Sequence, residues 1–214
     1  MKKIKTNRGL IALMMMFVIF TFAGVVSCTT ENDEPVAEEE EQVELTQAEK
    51  DMLLRMREEE KLAHDVYVYM YNLYGLNIFN NISNSEQIHM GKVLELLNKY
   101  GLDDPALPNP GEFSNQELQD LYNQLITQGE ISMIDALKVG ATIEDLDIYD
   151  LEEFSTQTEN QDILDVFSNL TCGSRNHMRG FYNQLNNNGA TYTPQFISQQ
   201  EYDDIVNSPH ENCN

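Results

Sequence analysis

Four stretches of this chain place apolar residues at alternating steps of three and four, the spacing of one helix face. In each of them, polar side chains interrupt the seam near its middle. The first reads Leu53, Met56, Glu60, Ala63, Tyr67, Met70 and Tyr74, and the second reads Phe79, Ile82, Glu86, His89, Val93, Leu96 and Tyr100. The third reads Met133, Leu137, Gly140, Glu144, Asp147, Leu151 and Phe154, and the fourth Ile163, Phe167, Leu170, Ser174, His177, Phe181 and Leu185. No run of alternating β-branched residues and no fixed-period repeat competes with this pattern. The spacing predicts an all-α fold, four long helices in a bundle.

Local signals place the helix ends. TQAE at Thr46 has the spacing of a capping box, with Leu45 ahead of it, and Gly75 and Gly101 stop the first two runs. Between Gly101 and Gly129 a Pro-rich loop precedes a short amphipathic stretch over Gln116 to Gln128, which reads as a long crossover between the second and third long helices. The segment TPQFISQQEYDDIV predicts one more short accessory helix. The folded domain is expected over residues 46–206, with a loose tail at 207–214.

Charge excludes one class of partner. The 214 residues carry 36 acidic and 13 basic side chains, a formal net charge of −23, so a surface that holds nucleic-acid phosphates is not expected. The four basic residues Lys2, Lys3, Lys5 and Arg8 precede the apolar run LIALMMMFVIFTFAG, which is short for a membrane span and reads as an export signal over residues 1–27. VVSC at Val25 to Cys28 resembles the lipobox of bacterial lipoproteins. That resemblance implies cleavage, lipid on Cys28 and membrane attachment through it; an ordinary signal peptide or an uncleaved N-terminal anchor is the alternative. The stretch from Cys28 to Leu45 holds eight acids and few large apolar residues, the composition of a solvated tether. Acids just after the lipidated Cys also resemble a surface-export signal of Bacteroidetes lipoproteins. The expected location is the cell envelope, anchored to the outer membrane and facing the periplasm or the cell surface.

The inward acids need compensation. A buried carboxylate that is neither protonated, paired nor metal-bound costs several kcal/mol. The seams offer Glu60, Glu86, Glu144, Asp147, His89 and His177, and no Lys or Arg shares them. One or two divalent metal ions fit that imbalance. Residues three apart lie on one helix face, so Glu86 with His89, and Glu144 with Asp147, can converge on one centre. Glu59 is read as solvent-facing or as a neighbour of the ligands.

These residues carry a resemblance. EKLAHDVY at Glu60, SEQIH at Ser85, the helix ALKVGATIEDLDIYDLEEF and SRNH at Ser174 resemble, in order, the four helix motifs of rubrerythrins and other ferritin-like proteins. Taken together they look like a bacterial and archaeal ferritin-like family known as a domain of unknown function, over about residues 46–206. The resemblance implies a ferritin-like four-helix bundle with a carboxylate-bridged metal site. Its ligands would be Glu60, Glu86, His89, Glu144, Asp147 and His177, with iron as the metal and manganese or zinc as substitutes. Ser174 stands where the fourth-helix Glu belongs, and Asp147 is a methylene shorter than Glu. His64 stands where related motifs have Arg, either as an extra ligand or neighbour of the site, or in a surface or capping role. Tyr67 is either core or a hydrogen-bond partner of a ligand.

Two functions follow. One is a lipid-anchored metal-dependent oxidoreductase that reacts with O2 or peroxide and takes electrons from an external donor. The other is a non-catalytic lipoprotein with a structural or degenerate metal site. A dimer is compatible with both. Cys172 and Cys213 either pair in an oxidising compartment or leave Cys172 as a free buried thiol.

Overall fold

Thr46 starts the first helix in both directions at once. Its Oγ1 accepts from the Glu49 amide at 3.2 Å, and the Glu49 carboxylate accepts from the Thr46 amide at 2.8 Å. Gly75 ends that helix at φ +69°, a left-handed conformation that a side chain would strain. The computed structural model describes residues 44–213. The export signal, Cys28 and nearly all of the acidic tether lie outside the described residues.

Six helices and no strand are present among the described residues: α1 (Gln47–Tyr74), α2 (Asn77–Lys99), α3 (Gln116–Gly129), α4 (Met133–Ser155), α5 (Gln161–Asn187) and α6 (Gln199–Asn207). The all-α expectation, the short helix in the crossover and the accessory helix near the C-terminus are all present. No described helix is long and apolar enough to cross a membrane.

The four long helices close on one another, α1 against α2 and α4, and α5 against α4 and α2. Their buried side chains form two separate apolar clusters. One holds Ala63, Tyr67, Ile82, Ala141, Met178 and Phe181; the other holds Met56, Val93, Leu151, Phe167 and Leu170. Each long helix passes from one cluster to the other, and the residues at the crossing are Glu60, Glu86 with His89, Glu144 with Asp147, and Ser174 with His177. A polar layer thus divides the core. The order of crossing makes α1 antiparallel to α2 and α4 antiparallel to α5. It also sets α2 and α4 running the same way, so the chain must return the length of the molecule between them. Residues 100–132, with α3, make that return.

The return segment is held by the charged outer face of α1. Arg57 binds Asp104 through Nε at 3.0 Å and Nη2 at 2.9 Å, and Lys61 Nζ donates to the Asn109 carbonyl at 3.0 Å. Glu58 accepts from the Ser114 amide at 2.6 Å. Arg57, Glu58 and Lys61, charged side chains of a kind usually left in solvent, are buried beneath the crossover.

Past Asn207 the chain has no regular structure, yet it is tied down rather than loose. Cys213 is disulfide-bonded to Cys172 on α5, with Cα atoms 5.7 Å apart. Glu211 accepts from Arg175 at 2.9 Å and from Arg179 at 2.6 Å. Of the two alternatives for Cys172, pairing with Cys213 is the one found; the turn of the chain after α6 brings the two together.

Candidate metal centre

Helix geometry delivers the polar layer in pairs. On α2, α4 and α5 the key residues are three apart and therefore project from one face, one turn along. The Glu86 carboxylate stands between the two imidazoles: its Oε2 is 2.8 Å from His89 Nδ1 and its Oε1 is 2.8 Å from His177 Nδ1. Glu60 Oε2 approaches His89 Nδ1 at 3.3 Å, and Glu144 Oε2 approaches His177 Nδ1 at 3.4 Å. Two three-residue groups result, Glu60–Glu86–His89 and Glu86–Glu144–His177, with potential ligand atoms in each within 4.8 Å of one another. Glu86 belongs to both, and the two imidazole rings stack at 5.6 Å.

These atoms are close but badly satisfied. Both oxygens of Glu60, both of Glu86, Glu144 Oε2, His89 Nδ1 and His177 Nδ1 are buried with no hydrogen-bond partner. The approaches lie within ion-pair distance but fall outside hydrogen-bond geometry. A buried polar atom left with no partner at all costs about 1–3 kcal/mol; all of these but Glu60 Oε1 lie in ion-pair contact with another of the set. Charge supplies part of the compensation. Burial opposes protonation of His177, but Glu86 and Glu144 outweigh it and push the imidazole up to about 10. His89 is raised for the same reason, by Glu60 and Glu86 against burial. Burial lifts Glu60 to about 7 despite His89 beside it. Burial also raises Glu86, but the two imidazoles win and hold it below the usual carboxylate range.

Two nitrogens with three carboxylates, one of them shared, form a donor set suited to iron, manganese or zinc. The residues present fit such ions, since a cation in each group would satisfy the atoms that lack partners.

Second contacts orient the donors. The Tyr67 hydroxyl donates to Glu144 Oε1 at 2.5 Å, which settles the alternative left open for it: Tyr67 is core and partner at once. His177 Nε2 lies 3.0 Å from Ser85 Oγ, a contact on the second ring nitrogen that fixes the ring. Ser85 stands in the SEQIH motif, but nothing in its spacing marks this contact. Gly173 carries no sequence signal either. A Cβ there would lie 2.6 Å from His89 Cε1, so the ring needs a glycine opposite it.

Other expected residues stand apart. Asp147 is buried but belongs to neither three-residue group; its Oδ2 accepts from the Ser174 hydroxyl at 3.0 Å. Burial, then the charges of Glu60, Glu144 and Glu86, raises Asp147 well above its usual range. His64 reaches neither group and pairs with Asp65 at 2.9 Å. Glu59 is buried, not solvent-facing, and Arg55 approaches its Oε1 at 2.8 Å.

Helices, split core and shared carboxylate together define an all-helical domain built around a buried carboxylate–histidine cluster. Residues 49–209 match the uncharacterized protein domain DUF2202, and the chain belongs to that family. An uncharacterized protein of Methanocaldococcus jannaschii, MJ0754, is 53% identical over 168 residues, which is 78% of this chain and 91% of that protein. The crystal structure of hypothetical protein MJ0754 is similar with a TM-score of 0.77 and covers 78% of this chain and 96% of the other.

Proposed function

We propose that this protein is a lipid-anchored, ferritin-like metal-binding protein whose four long helices hold one or two iron ions, or manganese or zinc, in the polar layer. The observation that carries the reading is the set of seven buried ligand-type atoms without hydrogen-bond partners, grouped around Glu86. Glu60 and His89 would hold one ion, Glu144 and His177 the other, and Glu86 would bridge them. Asp147 is the further ligand of this reading. Its Oδ2 accepts from the Ser174 hydroxyl at 3.0 Å. Bound iron would supply redox chemistry toward O2 or peroxide, with electrons from an external donor. The protein's own residues would supply ligands, a tyrosine on Glu144 and a largely water-excluding core.

Ser174 favours the second reading, a non-catalytic lipoprotein with a structural or degenerate site, because the fourth helix lacks its carboxylate. The Cys172–Cys213 disulfide supports an oxidising location in the cell envelope, as lipid on Cys28 requires.

The test is metal content of the purified protein after anaerobic Fe(II) loading, followed by optical spectra on adding O2 or peroxide. About two irons and a new oxidised absorption support the oxidoreductase, and one spectroscopically silent ion supports the structural role. Substoichiometric metal, unchanged in Glu86→Ala and His89→Ala, overturns both.

A further inference from the structure

The carboxylates of the polar layer are sealed, at 0–1% exposure for Glu60, Glu86 and Glu144, whereas the His89 and His177 side chains keep 7% and 11%. Both imidazoles open on one cleft of about 650 Å³ between α2 and α5, which Ser85, Gly173 and Gly180 also line. A second cavity at the layer, beside Glu59 and Asp147, has about 10 Å³, barely room for one water. The larger cleft gives the two imidazoles a solvent-facing side.

Its remaining wall is the C-terminal strap, His210 to Cys213. The strap is fastened to three successive turns of α5. Cys213 is bonded to Cys172, the residue next to Gly173; the Glu211 amide donates to Asn176 Oδ1 at 2.9 Å; and Arg175 and Arg179 grip the Glu211 carboxylate. The strap has no helix or strand of its own, and these ties hold it to α5.

We propose that this cleft is the entry site for divalent metal ions to the His89–His177 face of the cluster, and that the Cys172–Cys213 bond latches it. The entry role rests on the metal-binding reading above; the latch does not. A dithiol gives two electrons and two protons to the S–S bond, leaving two cysteine thiols and a disulfide in the reductant. The strap is then held by Glu211 and Asn176 alone and opens more often.

Two measurements on the full chain separate these ideas. Diethyl pyrocarbonate modifies accessible, unprotonated imidazoles, so every form is compared at one pH, and peptide mapping resolves all four histidines. In the wild type, exposed His210 reacts fast and His89 and His177 slowly. In Cys213→Ser, in Glu211→Gln and in the reduced protein, His89 and His177 react about tenfold faster while His64, which pairs with Asp65 and does not line the cleft, is unchanged. Equal rates at His89 and His177 overturn the latch, and so does a matching rise at His64, which signals general loosening. The second measurement is the rate of Co(II) uptake, followed by its visible absorption. Faster uptake in Cys213→Ser at unchanged stoichiometry supports entry through the cleft, and an unchanged rate overturns it. Absence of bound cobalt in every form overturns both the entry role and the metal reading, and the histidine rates still decide the latch.

Discussion

Replacing Gly173 by alanine sets two known effects against each other in a place where the structure decides the sign. A Gly in a helix interior costs about 0.8–1 kcal/mol relative to Ala, so the change should stabilise α5 if space allows. Space does not allow it. The new Cβ would lie 2.6 Å from His89 Cε1 and 2.7 Å from Nε2, about 0.8 Å inside the 3.4 Å of ordinary contact. The ring cannot easily retreat, because it stacks on His177 at 5.6 Å and its Nδ1 lies 2.8 Å from Glu86. Overpacking of this kind costs about 1–3 kcal/mol. The expected net effect runs from neutral to about 2 kcal/mol destabilising. Gly91 on α2 provides the control, since a Cβ there meets nothing within 4 Å, and Gly91→Ala should gain up to about 1 kcal/mol. Urea unfolding of both variants should give unchanged m-values and a gap of about 1–3 kcal/mol between them, or roughly 2–4 °C in Tm per kcal/mol. If Gly173→Ala proves as stabilising as Gly91→Ala, His89 is not held where the structure puts it, and the reasoning about the cluster fails with it.

Elemental analysis of loaded protein should find one metal lost in Glu60→Ala and one in Glu144→Ala but both in Glu86→Ala, since only Glu86 belongs to both groups; equal losses in all three would remove its bridging role. Asp145→Ala should lower stability by about 3 kcal/mol or more in urea unfolding, because that carboxylate accepts from the amides of Gln195, Phe196 and Ile197 and from the Tyr192 hydroxyl; a near-neutral result would mean that this loop is not anchored there. Hydrogen bonds from Arg175, reinforced by Arg179, lower the Glu211 carboxyl from its ordinary 4.5 to about 2. Its stabilising contribution is therefore complete above pH 4.5 and disappears as pH falls toward 2. The Tm difference between wild type and Glu211→Gln should be present at pH 7 and shrink across that window, and a difference that grew with acid would reverse the assignment.

The polar residues on the seams could be found without coordinates because helix periodicity tests each position separately. Glu60, Glu86, His89, Glu144 and His177 stand where a core residue should, and that local fact survives folding. Arg57, Glu58, Glu59 and Lys61 show the limit of the same logic. Their neighbours in sequence are charged, so composition assigns them to water, yet the crossover lies over α1 and buries them. Asp147 and Ser174 both lie on inward faces, but whether each meets a ligand or only the other depends on the rotation and spacing of α4 and α5, which periodicity does not encode.

Single-residue and short-range features, then, are written in the chain: the capping box at Thr46, the stop at Gly75, the helix lengths, the short helix in the crossover, and the inward acids and histidines. Each depends on interactions within a few residues, or on which face of one helix is apolar. Everything that depends on distance between helices came from the tertiary structure. It decided that Glu86 is the shared carboxylate, that Ser85 and Tyr67 orient its neighbours, that Gly173 leaves room for His89, and that Cys213 returns to Cys172 beside the opening. Those contacts join residues dozens of positions apart, and only the packing of four helices around a split core brings them within a few ångströms.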